Sequence, residues 1–130
     1  MKPQQTPITY YGGKKNMIKI ILPMIPEHTV YNEPFFGGGA IFFAKKPARC
    51  EMINDINDYV INFYKVYRTK TKALLKEIST YMLSRKMHME AQKIFQQPKR
   101  YSDVKKAAAF WFLSNVSFNG DFYGNIKFSK

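Results

Sequence analysis

Cysteine is nearly absent from this chain of 130 residues. Cys50 stands alone, so no internal disulfide forms and no cysteine cluster is there to hold a metal. It falls in a predicted strand, where a buried or incidental thiol is the expected reading. Acidic residues are scarce too, 9 against 21 Lys and Arg. No apolar run approaches membrane-spanning length, and the N-terminus lacks the apolar core of a secretory signal. A soluble, cytoplasmic protein of a reducing compartment, with no membrane partner, is expected. Two phosphate-binding fingerprints are missing as well: there is no G-x-G-x-x-G, and no Gly-Lys-Ser/Thr follows a glycine turn.

What is present is an apolar content of 45%, that of one globular domain with a core. The net charge of +12 is lopsided. Residues 1–60 carry 7 basic and 5 acidic groups, a net of +2; residues 61–130 carry 14 and 4, a net of +10. A polyanion such as DNA or RNA is attracted to the second half, although a lysine-rich composition alone gives the same figures.

Along the chain, residues 1–7 read as an arm opposed to regular structure by Pro3 and Pro7. Ile8–Tyr11 reads as extended, Gly12-Gly13 as a turn, and Lys14–Leu22 as a helix broken by Pro23 and Pro26. Strands are predicted over 29–32 and 49–53, with a helix over 39–45 between them. Val60, Ile61, Phe63, Tyr64 and Tyr67 recur at helical spacing up to Arg68, and a further helix is expected over 72–83 after a bend. Met87–Gln97 is helical up to Pro98. Ser102 caps a last helix, with Lys105 where a capping box has an acid. Its run Phe110-Trp111-Phe112-Leu113 reads as core. Residues 117–130, with Gly120 and Gly124, read as turn or hairpin.

The stretch Glu33-Pro-Phe-Phe-Gly-Gly-Gly-Ala40 sets an acid and a glycine turn between predicted strand and helix. After a parallel strand, such a loop lets a ligand approach the backbone and the first amides of the helix. Gly37, Gly38 and Gly39 permit positive φ there. Glu33 beside the loop repels an anion and suits a cationic or hydroxyl-rich partner. Asp55, in Asn54-Asp55-Ile56-Asn57 after the second strand, lies on the same rim of the sheet. It is suited to accept both ribose hydroxyls, or to cap the next helix.

These blocks resemble the Dam-like, D12-class DNA adenine N6-methyltransferases, in their N-terminal part. Tyr10-Tyr11-Gly12-Gly13-Lys14 is similar to that family's N-terminal cofactor motif, Glu33–Ala40 to its S-adenosylmethionine loop, and Asn54–Asn57 to its ribose-binding block. Phe112–Asn115 and Ser117–Gly120 resemble the helix and loop that enter its DNA-recognition region. The resemblance implies an α/β, partial Rossmann-like methyltransferase fold, with 1–68 as the cofactor-binding part. Residues 69–130 become a basic helical segment and the start of the DNA-recognition region.

The implied cofactor is S-adenosyl-L-methionine, held by Tyr10, Tyr11, Gly12, Lys14, Glu33, Phe35, Gly37, Gly39 and Asp55. The implied reaction is methyl transfer to adenine N6, with DNA contacts from Asn119, Asn125 and Lys127. The basic residue that the family commonly carries shortly after Phe-Asn-Gly is replaced by Asp121–Asn125. The family's catalytic Asp-Pro-Pro-Tyr loop has no counterpart, because none of the 7 prolines adjoins another. The expectation is therefore a truncated gene product, a cloned fragment or a split subunit, inactive alone. Its expected partners are DNA and either the missing C-terminal portion in trans or another copy. The competing reading is a basic nucleic-acid-binding module or accessory subunit without catalysis.

Overall fold

A computed structural model describes residues 5–117 and Phe122. It combines helices with a small parallel two-stranded sheet. Compactness divides the chain into 1–57 and 58–130.

In the first unit, β1 (Val30–Glu33) and β2 (Cys50–Ile53) pair in parallel, with Val30 opposite Cys50 and Glu33 opposite Ile53. A parallel pair needs a crossover, and α2 (Ala40–Ala44) lies in it. Successive strand side chains point to opposite faces. On one face Glu33 is buried, and Tyr31 and Ile53 are half-buried. The Tyr31 ring lies 6.4 Å from that of Phe42, which meets Phe36 edge-on at 5.3 Å. On the other face Val30, Asn32, Cys50 and Met52 are all exposed. Cys50 is thus not a core thiol: its strand position turns it to the uncovered face.

Lys45 directly follows α2, within the crossover. Its side chain is 3% exposed and pairs with Glu51, and its Nζ sits 4.1 Å above the Tyr31 ring. Burial pushes the Glu51 carboxyl up. Hydrogen bonds from Lys45 and the Ala48 amide outweigh burial and leave it below the usual carboxylate range.

The helix expected over Lys14–Leu22 is instead a four-residue α1 (Ile18–Ile21) between 3-10 turns at Lys14–Met17 and Leu22–Met24. With no side-chain cap and no acid in the first turn, nothing offsets the cost of nucleating a longer helix. Ile8–Tyr11 joins neither strand. The Gly12-Gly13 turn forms as expected, closed by the Gly13 amide on the Tyr10 carbonyl at 3.1 Å.

The second unit comprises α3 (Asp58–Thr69), α4 (Thr71–Ile78), α5 (Arg85–Gln96) and α6 (Asp103–Val116). The last packs against the other three. Its buried Ala107, Ala108 and Ala109 permit close approach, and Phe63, Leu74, Phe95 and Phe110 fill the core around them. Trp111 is half-buried. The Ser102 hydroxyl accepts from the Lys105 amide, the expected cap, and Ser84 caps α5 through the Met87 amide.

The expected bend falls at Lys70. Thr69 and Thr71 hydroxyls on either side bond back to the Lys65 and Tyr67 carbonyls. α4 ends at Ile78 rather than near Leu83. Ser79 and Thr80 turn their hydroxyls onto the Lys76 and Glu77 carbonyls and compete with the helix ladder. The expected Asn119, Asn125 and Lys127 contacts, and the hairpin that would carry them, lie outside the described residues, as does the start of the 1–7 arm. Among the described residues no helix is long and apolar enough to cross a membrane.

Candidate functional site

The parallel ladder continues past the strand ends and ties two loops together. The Asn54 amide donates to the Glu33 carbonyl (3.0 Å), and the Phe36 amide donates to the Asn54 carbonyl (3.0 Å). The Gly37 amide then donates to Asp55 Oδ2 (2.7 Å), while Asp55 Oδ1 accepts from the Asn57 amide (2.9 Å). Asp55 therefore joins the β1–α2 loop to the β2–α3 loop. A carboxylate has about four lone-pair sites, so each oxygen retains capacity for a further donor.

Gly37 has φ +54°, and a Cβ there would lie 3.2 Å from Tyr10 Cδ1. The missing side chain is what lets the Tyr10 ring rest against the loop. Tyr10 in turn has its hydroxyl 3.4 Å from the Asn57 side-chain nitrogen. Tyr10, Gly12, Gly13, Lys14, Phe35, Phe36, Gly37 and Asp55 line a cleft of about 280 Å³ at the carboxyl ends of both strands.

Lys14 braces the cleft from the N-terminal segment. Its Nζ donates to Glu33 Oε1 (2.5 Å) and to the Phe35 carbonyl (2.7 Å). Glu33 is only 5% exposed, so this charge needs its partner. The Tyr31 hydroxyl donates to the other Glu33 oxygen at 3.1 Å. Burial, then the Glu33 charge and hydrogen bond, push the Tyr31 phenol up to about 12. Tyr31 thus stays a neutral donor at physiological pH.

A folded-state value above the ordinary 10 contributes stability that is full below pH 10 and is lost as pH rises through about 12. Tyr81, also pushed to about 12 by burial and then by Glu77 and Glu90, acts in the same window. We expect phenolate absorbance of these two to rise only above pH 10, together with loss of helical circular dichroism. Tyr31→Phe should remove one tyrosine from that late wave. A single wave at the ordinary phenol value would contradict it.

Of the nine residues implied as cofactor-binding, six line the cleft: Tyr10, Gly12, Lys14, Phe35, Gly37 and Asp55. Glu33 stands behind Lys14. Tyr11 points outward at 79% exposure, and Gly39 packs against Phe36 and Phe43 instead of lining the cleft. Sequence reasoning missed Tyr31, although its i, i+2 spacing from Glu33 on one strand puts both on one face. It also missed Phe36 as a lining residue.

The family model described as D12 class N6 adenine-specific DNA methyltransferase matches residues 10–125. The type II methyltransferase M1.LlaDCHI of Lactococcus lactis subsp. cremoris is 29% identical over 121 residues, 89% of this chain and 42% of that protein. The DNA N-6-adenine-methyltransferase of Escherichia phage P1 is 31% identical over 112 residues, 84% of this chain and 15% of that one. The DNA adenine methylase of Vibrio cholerae serotype O1 is 27% identical over 124 residues, 92% of this chain and 44% of its own length. The chain spans less than half the length of each of these relatives.

Proposed function

This chain belongs to the D12 class N6 adenine-specific DNA methyltransferases, and from that premise we propose that its first unit is the cofactor half of a Rossmann-like, cytoplasmic methyltransferase acting on adenine in DNA. The observation that carries this reading is the Gly37–Asp55 hydrogen bond at the head of two parallel strands, with Tyr10 laid against it. Ligands of open α/β sheets bind at that end.

The residues fit S-adenosyl-L-methionine. Asp55 offers charged acceptors to ribose hydroxyls, Tyr10 and Phe35 offer apolar surface to an adenine ring, and Lys14 offers a cation to a carboxylate. Gly12 and Gly37 keep the backbone open to close approach. When bound, this group supplies an electrophilic methyl on sulfur. Glu33 and Tyr31 hold Lys14 in place, and Asp55 keeps the two loops in register. Ligand pockets usually measure about 300–1,000 Å³, so a cleft of about 280 Å³ suits part of an enclosure. The uncovered sheet face supports the same reading, because parallel sheets are ordinarily covered on both faces. The remainder of the enzyme in trans, or a second copy, is the partner proposed for that face.

Calorimetric titration with S-adenosylhomocysteine tests the cofactor reading. Asp55→Ala should weaken binding by about 1–3 kcal/mol through loss of charge-assisted hydrogen bonds. Asp55→Asn, which keeps one of the two acceptors for the backbone amides of Gly37 and Asn57, should lose less stability than Asp55→Ala and still bind more weakly than the parent. Equal dissociation constants for parent and both variants would sink the ribose-anchor role.

The basic second unit supports an alternative. Lys106, with Lys70 and Lys65, holds the Asp103 carboxyl below the usual carboxylate range, a mark of the positive charge gathered there. Salt-dependent binding to duplex DNA by a chain that ignores S-adenosylhomocysteine would favour a nucleic-acid-binding module without catalysis.

A further inference from the structure

Lys14 and Glu33 meet beside the cleft, and a third side chain decides how they share hydrogen bonds. An ammonium has three donors. Lys14 uses one on Glu33 Oε1 and one on the Phe35 carbonyl, which leaves one. Lys14 lines the cleft and its side chain is 32% exposed, so a ligand can reach that last donor. Glu33 is the opposite case. It is buried, so both carboxylate oxygens need donors. Lys14 serves Oε1, and the Tyr31 hydroxyl serves Oε2 at 3.1 Å. Those two are its side-chain partners among the described residues.

The Tyr31 ring is itself fixed. Lys45 Nζ lies 4.1 Å above it, and the His28 and Phe42 rings lie 5.4 Å and 6.4 Å away. Without the Tyr31 hydroxyl, Oε2 is a buried acceptor with no donor, and the spare Lys14 N–H is the group placed to serve it. Glu33 already neutralises Lys14. What the cleft offers a carboxylate is therefore a directed N–H rather than an unopposed charge, and its direction matters.

We propose that Tyr31 is a positioning residue for the cofactor's carboxylate. By occupying Glu33 Oε2, its hydroxyl keeps one Lys14 N–H out of the Lys14–Glu33 pair and turned to the carboxylate of S-adenosyl-L-methionine. Tyr31 is not among the residues that line the cleft, so it acts through Glu33 and Lys14. The proposal rests on the cofactor reading above and adds to it a choice between ligands with and without a carboxylate.

Calorimetry on the full chain tests it with two probes. One is S-adenosylhomocysteine. The other is its decarboxylated form, which keeps the adenosine, the sulfur and the amine. The parent should bind the first more tightly. Tyr31→Phe keeps the ring and removes only the hydroxyl. It should bind S-adenosylhomocysteine about tenfold more weakly, the loss of one charge-assisted hydrogen bond, and the decarboxylated probe as the parent does. Replacing Tyr31 with para-aminophenylalanine puts an N–H donor back on the same ring and should restore the parent affinity.

Equal losses for both probes in Tyr31→Phe, including loss through unfolding, make the residue merely structural and overturn the proposal. Unchanged affinity for S-adenosylhomocysteine in that variant overturns it as well. A parent that binds both probes equally leaves the cofactor reading standing and still overturns the proposal, because Lys14 then takes no carboxylate. A parent that binds neither probe removes the cofactor reading itself, and the proposal with it.

Discussion

Gly39→Ala should destabilise the first unit by about 2–5 kcal/mol, the sum of left-handed backbone strain and overpacking. Gly39 has φ +74°, where any L side chain is strained. A Cβ there would lie 2.6 Å from Phe36 Cζ, 2.9 Å from Phe36 Cε1 and 2.9 Å from Phe43 Cε2. Phe36 is 1% exposed, and Phe42 and Phe43 both pack edge-on against it, so its ring has nowhere to go. Gly12 is the built-in control. Its φ is +69°, yet a Cβ would meet nothing within 4 Å. Gly12→Ala should therefore cost only the strain, about 1–2 kcal/mol. Urea titrations of the two variants and the parent, fitted with a shared slope, separate the contributions. Equal midpoints for the two variants would mean that the phenylalanine wall gives way.

The second large effect concerns turnover. The chain alone is expected to leave DNA unmethylated, and methyl transfer is expected only when the rest of such an enzyme is added in trans. Transfer needs the adenine amine held in line with the methyl carbon, and misplacement by about 1 Å can cost a factor of about 10². Nothing in the sequence offers the adjacent prolines of an Asp-Pro-Pro-Tyr loop to hold that amine. The assay incubates the purified chain with a tritiated methyl donor and adenine-containing duplex, with and without a polypeptide carrying that loop and the remaining strands. Incorporation only in the mixture fits a divided active site spanning Tyr10, Asp55 and the added loop. Sustained incorporation by the homogeneous chain alone would overturn the account, because it demands an amine-holding loop within these 130 residues.

Both strands were legible in the sequence to within a residue or so. Val30-Tyr31 and Met52-Ile53 favour extended backbone, and the glycines at 37–39 and the turn formers Asn54, Asp55 and Asn57 mark where each strand stops. The α6 start was legible because Ser102 is a local cap. Elements decided by competition between near neighbours were read less well. Ser79 and Thr80 capture carbonyls that a longer α4 needs, and weak capping divides Lys14–Met24 into short turns. Contacts remote in sequence were not legible in detail. Lys14 and Glu33 could be singled out separately, but their pairing across 19 positions depends on how the N-terminal segment returns over the loop. Asp55 was read as a ligand group. Its hydrogen bond to the Gly37 amide, 18 positions away, adds a scaffolding task that no local pattern encodes.

The uncovered sheet face also carries a practical consequence through Cys50, the chain's single thiol, which lies exposed there beside Val30 and Met52. The rate at which a small thiol reagent modifies the chain becomes a clock for that face alone. It runs fast while the strands are bare, and the partner proposed for that face should slow it in proportion to the time it covers them. The proposed assembly can therefore be tested chemically, with no catalytic readout and no engineered label.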